Sequence, residues 1–408
     1  MSRLLRRLAL VLLLGGGLAP VQAQPTPQIS LLTFQPGAVY WQRYGHNALR
    51  VVDGAGERVY NYGLFDFQQK NFALNFARGR MLYRLGVASM DETLAQYAYE
   101  GRWVHEQVLD FNTEQARAVA RFLARNAQPE LADYRYDYFT ANCSTKLRDV
   151  IDLGTDGLLA RQLQPSPTNV TYRSEAARMM APVPPMLWLT DAMLGIGADQ
   201  PLTLWEQSFL PEVLMTALRA ARFADGRPLV RAERSLLRGQ LPEAPQQPPV
   251  LWPGFAVAGL LVATLLGVVA ALAWRSGTRR HRRAFTVLAG TVWLFNGLAG
   301  LFLLLGWIAT DHAVMATNAN LLLLSPLSLL WLAALVATRR GSATARRWIR
   351  GGAVINALLA TLALALQAMP GAQAHLHWVR LWWPLHGVLA VAMWSGFGAA
   401  AHRLETAH

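Results

Sequence analysis

The sequence predicts an α+β extracytoplasmic domain followed by an all-α membrane domain of five helices. Three observations predict it: a secretory leader, a series of short alternating segments through the first 250 residues, and five apolar stretches after residue 250. Composition agrees. Of 408 residues 53% are hydrophobic and 15% charged, against about 25% charged in soluble domains.

The leader is "MSRLLRRLALVLLLGGGLAPVQA". Arg3, Arg6 and Arg7 form a basic start, Leu8 to Leu18 an apolar core, and Val21-Gln22-Ala23 a small-residue cleavage site. The core is too short for a spanning helix and reads as a signal peptide over residues 1–23. Residues 24–240 are then expected to form an extracytoplasmic domain with a Pro-rich helical extension, 241–250 ("LPEAPQQPPV") a linker, and 251–408 the membrane domain.

The net charge of +13 is no nucleic-acid patch once it is located. Residues 24–250 carry 23 basic and 23 acidic residues, whereas 251–408 carry 12 Arg against Asp311 and Glu405. The excess lies beside apolar segments, where it reports membrane topology.

Those segments run approximately over 251–274, 284–308, 321–338, 353–369 and 381–400. Each is near the ~20 residues that a ~30 Å hydrocarbon layer requires. Arg is concentrated in "RSGTRRHRR" after the first and "RRGSATARRWIR" after the third, and nearly absent from "TDHAVMATNAN" and "PGAQAHLHWVR". The positive-inside rule places the Arg loops and the C-terminus in the cytoplasm, and residues 24–250 outside, in agreement with the leader. The expected topology is multi-pass in the cytoplasmic membrane, with the first domain outside.

In the first half, "ISLLTF", "NALRVV", "RVYNYGL", "RMLYRLGVA" and "RWVHEQVLDF" read as strands, with "DGAGE" a hairpin turn. "TEQARAVARFLARNA" reads as an amphipathic helix capped by Thr113, and "CSTKLRDVIDLG" as a helix ending at Gly154. The segment from Leu158 to Gln240 reads as Pro-rich with short helices. There is no GxGxxG, no phosphate-cradling loop and no CxxC spacing.

The chain has one cysteine, Cys143, so no disulfide can form within it. An unpaired thiol in an oxidising compartment needs a reason. Asn142 reads as a cap, and Ser144 and Thr145 suit a first helical turn. A thiol at a helix N-terminus meets free peptide N–H groups and the positive end of the dipole, which favour thiolate and could bind an oxyanion. The alternative is a buried small hydrophobe.

A nucleophilic thiol needs a base. His46, in "RYGHNALRV", stands at the start of a strand; His105, in "RWVHEQV", reads as a solvated strand position. His46 is the expected base. An imidazole needs an orienting acceptor, and Asn61 on the neighbouring strand "RVYNYG" is the first candidate, with Asp66 the second. His375 and His377 alternate but lack further ligands, and no metal site or other cofactor is expected.

"GHNALRV … YNYG" followed about a hundred positions later by "NCSTKLRD" resembles a circularly permuted papain-like domain of the NlpC superfamily, with histidine ahead of cysteine. Such a domain after a leader and before five apolar helices resembles the Lnb-type lipoprotein N-acyltransferases. "TDHAVMATNANLLLLSPL" is similar to that family's loop between its second and third helices. The resemblance implies Cys143 as nucleophile, His46 as base and Asn61 as third residue. Related permuted enzymes often use a second His there. Asn142 and Ser144 would line the site, and His312, Asn318 and Asn320 match polar positions of the loop, where capping at a membrane surface is the alternative.

The implied function is a membrane-bound acyltransferase. Its acyl donor would be a membrane phospholipid and its acceptor the N-terminal amine of diacylglyceryl lipoproteins, with Cys143 carrying the acyl group as a thioester. Apolar segments such as "PPMLWLTDAMLGIG" would wall a lipid groove or simply pack. Two alternatives compete: a papain-like peptidoglycan amidase or endopeptidase using the same pair, and a non-catalytic membrane sensor or assembly factor.

Overall fold

The computed structural model describes residues 25–405 apart from Asp66 and residues 339–341, with the backbone alone for 397–405. The expected leader and Asp66 lie outside the described residues. The first half is built on one antiparallel sheet. Its strands are β1 (Gln28–Phe34), β2 (His46–Asp53), β3 (Gly56–Leu64), β4 (Leu82–Ala88), β5 (Val104–Leu109), β6 (Asp133–Arg135) and β7 (Val230–Leu237). They lie in the order β6-β4-β3-β2-β1-β5-β7. The expected hairpin joins β2 and β3 at Gly54-Ala55, where Asp53 Oδ1 accepts the Ala55 N–H at 2.9 Å.

The helices of this half are α1 (Phe72–Ala77), α2 (Met90–Tyr99), α3 (Thr113–Asn126), α4 (Cys143–Gly154), α5 (Leu158–Leu163), α6 (Tyr172–Met180), α7 (Pro184–Met193), α8 (Leu204–Gln207) and α9 (Pro211–Ala220). Strand alternation divides their packing. Ile29, Leu31, Leu49, Val51, Tyr60 and Tyr62 form a core with α3, α4 and α9. Leu32, Phe34, Ala48 and Val59 point the other way, onto Tyr97 of α2.

Two features depart from the sequence reading. The cap of α3 is Asn112, which accepts the Gln115 N–H while Gln115 returns to the Asn112 N–H, so Thr113 is already the first helical residue. The segment expected to be Pro-rich and helical ends in β7, a mostly exposed edge strand paired with β5. Its sequence, "VRAERSLL", lacks the alternation of a half-buried strand, because pairing with a distant segment holds it.

The C-terminal half contains α10 (Trp252–Arg275), α11 (Arg279–Ile308), α12 (Ser328–Thr338), α13 (Ala343–Leu366) and α14 (Leu376–Glu405). Among the described residues α10, α11 and α13 are long and apolar enough to cross a membrane. The expected third span, 321–338, is α-helical only from Ser328 to Thr338, after one 3-10 turn over Ala319–Leu322. Those 11 residues reach about 16 Å, short of a ~30 Å layer. Pro326 lacks the N–H that would continue the helix. Buried side chains satisfy the unwound backbone: Asn296 donates to Leu323 O at 2.7 Å and accepts the Ser325 N–H at 3.0 Å, and His386 Nε2 lies 2.9 Å from Leu323 O. Irregular backbone survives at such depth only when it is paired inside protein.

A buried charge cluster ties the two halves together. Arg173 of α6 contacts Asp191 Oδ1 at 3.1 Å and Asp199 Oδ1 at 2.7 Å. The second oxygen of Asp191, on α7, accepts from His377 Nε2 and Trp378 Nε1 of α14, each at 2.7 Å. Burial alone would raise the Asp191 carboxyl, but the His377 hydrogen bond and the Arg173 charge outweigh it and hold the carboxyl low.

Removing one partner of a buried pair leaves an uncompensated charge, at a cost of about 3–5 kcal/mol. Asp191→Ala is therefore expected to lower the melting temperature of the detergent-solubilised chain markedly. Glu233→Ala, which removes the partly exposed partner of Arg219, should cost about 1 kcal/mol or less. Differential scanning fluorimetry of the two variants checks the contrast.

Candidate active site

Pairing between β2 and β3 ends at Leu49 opposite Tyr60. Beyond it β3 shifts register against β4 between Asn61 and Leu64, a bulge of the kind that re-aims strands beside functional sites. Gly63, in the bulge, has a φ of +96°. The N-terminus of α4 enters here. The position a Cβ on Gly63 would occupy lies 3.6 Å from the Cys143 Cβ, an ordinary contact, so it is the backbone angle that calls for glycine.

Helix α4 begins at Cys143 because Asn142 caps it. Asn142 Oδ1 accepts the Thr145 N–H at 3.0 Å, and Thr145 Oγ1 accepts the Asn142 N–H at 2.9 Å. The Asn142 amide also donates to Tyr138 O at 3.1 Å and Phe209 O at 2.9 Å, and the Ser144 hydroxyl donates to Ser208 O at 2.7 Å. Both side chains are thus committed to holding the start of α4. What faces the sulfur is peptide: the N–H groups of Asn47, Ser144 and Cys143 itself.

His46 is the first residue of β2. Gly45 before it has φ +78°, and Phe34 O lies 2.9 Å from where its Cβ would sit, so the entry into β2 also requires glycine. His46 pairs with Phe34 across β1 and its ring stacks on Phe34 at 5.7 Å. The pairing of Arg50 with Val59 sets Asn61 opposite Ala48, on the face that His46 shares by strand alternation. Asn61 acts on the imidazole to raise its pKa. Its Nδ2 contacts Val59 O at 3.4 Å, and its Oδ1 is the atom that can accept a ring N–H.

Helix α4 covers the Leu49–Tyr60 face, whereas the imidazole stands on the Phe34–Ala48 face. Thiol and imidazole approach the end of β2 from opposite sides of the sheet, one residue apart through the Asn47 N–H. Among the described residues no hydrogen bond joins them, as is common in resting active sites whose contacts tighten with substrate.

The electrostatics correct one expectation. Burial pushes the half-buried Cys143 thiol up, despite the three N–H groups and the Arg102 charge, which act to lower it. Loss of water around the sulfur outweighs the helix terminus. Burial, followed by the Arg102 charge, pushes His46 down to about 4, against the hydrogen bond to Asn61. The resting pair is neutral thiol and neutral imidazole.

Two residues at this strand end carried no signal in the sequence. Arg102 is buried, donates to Gln35 O at 2.5 Å and to Glu100 at 2.7 Å, and lies 4.6 Å over the ring of Tyr97. Tyr97 stacks on Phe34 at 3.8 Å, completing a column from Arg102 to His46. The buried Tyr134 hydroxyl lies 3.9 Å from the Gly63 Cβ position and has no hydrogen-bond partner among the described residues.

Of the loop residues, His312 stands beside Tyr138, which helps hold the Asn142 cap, and the two asparagines stand apart. His312 Nε2 lies 3.0 Å from Phe76 O, and its ring stacks with Tyr138 at 6.1 Å. It borders a cavity of about 140 Å³ shared with Arg135, Tyr136 and Asp311. Asn318 and Asn320 both donate to Ala192 O, at 2.8 and 3.1 Å, and Asn320 Oδ1 lies 2.9 Å from His375 Nδ1. These two asparagines clamp the end of α7, and none of their hydrogen bonds reaches the residues around Cys143.

Comparison with protein families adds two matches. The Lnb N-terminal periplasmic domain matches residues 23–177, and the Lnb transmembrane domain matches residues 253–390. Both halves of the chain are thus similar to Lnb domains. Comparisons with curated proteins and with solved structures found no match. The first Lnb match holds His46, Asn61 and Cys143 and ends within α6; the second holds His312, Asn318 and Asn320. Between them lie α7, α8, α9 and β7, including Asp191. The two Lnb matches, with three apolar helices among the described residues, support a multi-pass membrane protein with a periplasmic-type domain.

A raised thiol pKa sets its alkylation profile, and the single cysteine makes the readout unambiguous. Iodoacetamide labelling of Cys143, followed by intact mass, should be slow at pH 7 and accelerate as pH rises past that of an ordinary thiol. A rate already level below pH 7 would instead reveal a preformed thiolate.

Proposed function

We propose that this chain is a cysteine acyltransferase that moves an acyl chain from a membrane phospholipid, through a Cys143 thioester, to the N-terminal amine of bacterial lipoproteins. It would act in the inner membrane, with the sheet domain in the periplasm, the C-terminus in the cytoplasm and five membrane helices in all. The observation that carries the reading is the lone thiol. It sits at a capped helix N-terminus among peptide N–H groups, at the strand end where His46 and Asn61 pair, in a chain whose two halves both match Lnb domains. Histidine strand preceding cysteine helix also fits a permuted papain-like arrangement.

In this reading His46 takes the thiol proton as sulfur attacks the ester carbonyl of the lipid. The carbonyl oxygen becomes an oxyanion held by N–H groups at the start of α4, with the Tyr134 hydroxyl as a further donor. Collapse breaks the C–O bond, and the imidazolium returns its proton to the departing lysolipid alkoxide. A lipoprotein α-amine then attacks the thioester and loses a proton to His46. The amide forms and the thiolate leaves, recovering its proton from the imidazolium. Because the resting pair is neutral, proton transfer accompanies attack rather than preceding it. Asn61 fixes the ring, and the Arg102–Tyr97–Phe34 column backs it.

Purified chain incubated with phospholipid should gain one acyl mass on Cys143, released by hydroxylamine, and added lipopeptide should discharge it as an amide. Cys143→Ala should abolish both. His46→Ala should slow acylation by about 10²–10⁴-fold, and Tyr134→Phe by about 10²-fold, with smaller loss for Asn61→Ala. An active Cys143→Ala chain, or cleavage of peptidoglycan peptides without amide formation, refutes the proposal.

The acid limb of the rate gives a separate check. Protonated imidazole cannot accept the thiol proton, and a His46 held near pH 4 stays neutral above it. Acylation should therefore persist as pH falls through 6.5 and fail only nearer 4, whereas an unshifted histidine would place that limb near 6.5.

A further inference from the structure

The chain leaving β3 just past Gly63 carries an apolar surface that the sheet domain does not use. Leu64, Phe67, Leu74 and Phe76 are 46%, 65%, 47% and 42% exposed, and α1 buries none of its six residues. Its rings pack on one another instead: Phe65 meets Phe67 at 4.8 Å, Phe67 meets Phe72 at 5.2 Å, and Phe72 meets Phe76 at 6.2 Å. An ordered cluster of this size facing outward marks a partner surface.

Its attachment identifies the partner. Phe76 O lies 3.0 Å from His312 Nε2, Arg78 O accepts the Asp311 N–H at 2.8 Å, and Arg80 pairs with Asp311 at 3.0 Å. Asp311 stands three residues beyond Ile308, the last residue of α11, and three residues span at most about 11 Å. The end of α1 is therefore held at the level where a membrane-crossing helix ends. Trp307 and Ile308 at that end are themselves 41% and 66% exposed, so α1 continues an outward-facing apolar belt that lipid covers. Exposed Lys70 and Arg78 flank the rings, a composition that suits an amphipathic segment lying in the headgroup region.

We propose that residues 64–65 and 67–76 insert into the interfacial layer of the bilayer, on the side where the sheet domain sits, with phospholipid as the occupant of this surface. Insertion holds the strand end bearing Asn61 and Gly63, and with it the thiol, at the lipid surface. The inference rests on the membrane character of the chain and not on acyl transfer.

The single cysteine makes the test direct. In a full-length Cys143→Ala chain, Phe67→Cys, Leu74→Cys and, as control, Leu153→Cys each receive a nitroxide label, and the chain is reconstituted in phosphatidylethanolamine–phosphatidylglycerol vesicles. Leu153 is 56% exposed and lies at the end of α4 away from the thiol. Collision rates with oxygen, which partitions into lipid, and with a nickel chelate, which stays in water, report depth. At positions 67 and 74 the oxygen-to-nickel ratio should exceed that at 153 several-fold. A ratio at either position equal to that at 153, in chains whose melting temperature matches the Cys143→Ala parent, overturns the proposal. The readout is blind to catalysis, so its failure and the failure of the acyltransfer reading are separable.

Discussion

The site depends on one wedge: the capped start of α4 set between the diverging ends of β2 and β3. Asn142 supplies the cap, worth about 1 kcal/mol in a typical helix, and with the Phe209 carbonyl it fixes where the first turn begins. Gly63 supplies the room. The bulge in β3 lets that strand leave the ladder, so the Asn47 N–H can turn toward sulfur instead of a neighbouring strand. Without the cap the thiol would lose its N–H shell; without the bulge it would have no place at the end of β2.

Two opposing effects act on the sulfur, and their magnitudes decide its resting state. Peptide N–H groups and the Arg102 charge favour thiolate, while removal of water opposes it, and the removal of water wins. The same burial disfavours a charged imidazole. A half-buried neutral pair is less open to chance alkylation and, in the proposed reaction, would become ionic only as an oxyanion develops against the helix terminus. For a chemistry in which water is the competing nucleophile, such exclusion has an evident use.

The membrane half does more than anchor. Its loops reach the sheet domain in two places, the Asp191 cluster with His377 and Trp378, and the contacts of Asp311 and His312 with residues 76–80. The first is buried and charge-dense, and holds α7 against α14. The second holds the end of α1 beside the loop that follows α11. Asn318 and Asn320, which the loop resemblance brought forward as site residues, are explained by the first joint: they satisfy backbone carbonyls at the end of α7. Their polarity at a membrane surface follows from that duty.

Local chemistry made much of this legible. Alternation gave β1 to β5, apolar length gave the helical half, and a single cysteine after an asparagine gave the start of α4. His46 and Asn61 could be named because adjacent hairpin strands share a face in a fixed register. The sequence by itself determined these elements, since each depends on neighbours a few residues away. Tertiary structure alone decided that β7 closes the sheet edge, that Leu321 to Leu327 leaves the helix, that Arg102 and Tyr134 stand at the site, and that the thiol is protonated at rest. Each of these depends on distant segments meeting, through a backbone partner, a buried amide or lost solvent, and no local pattern encodes such a meeting.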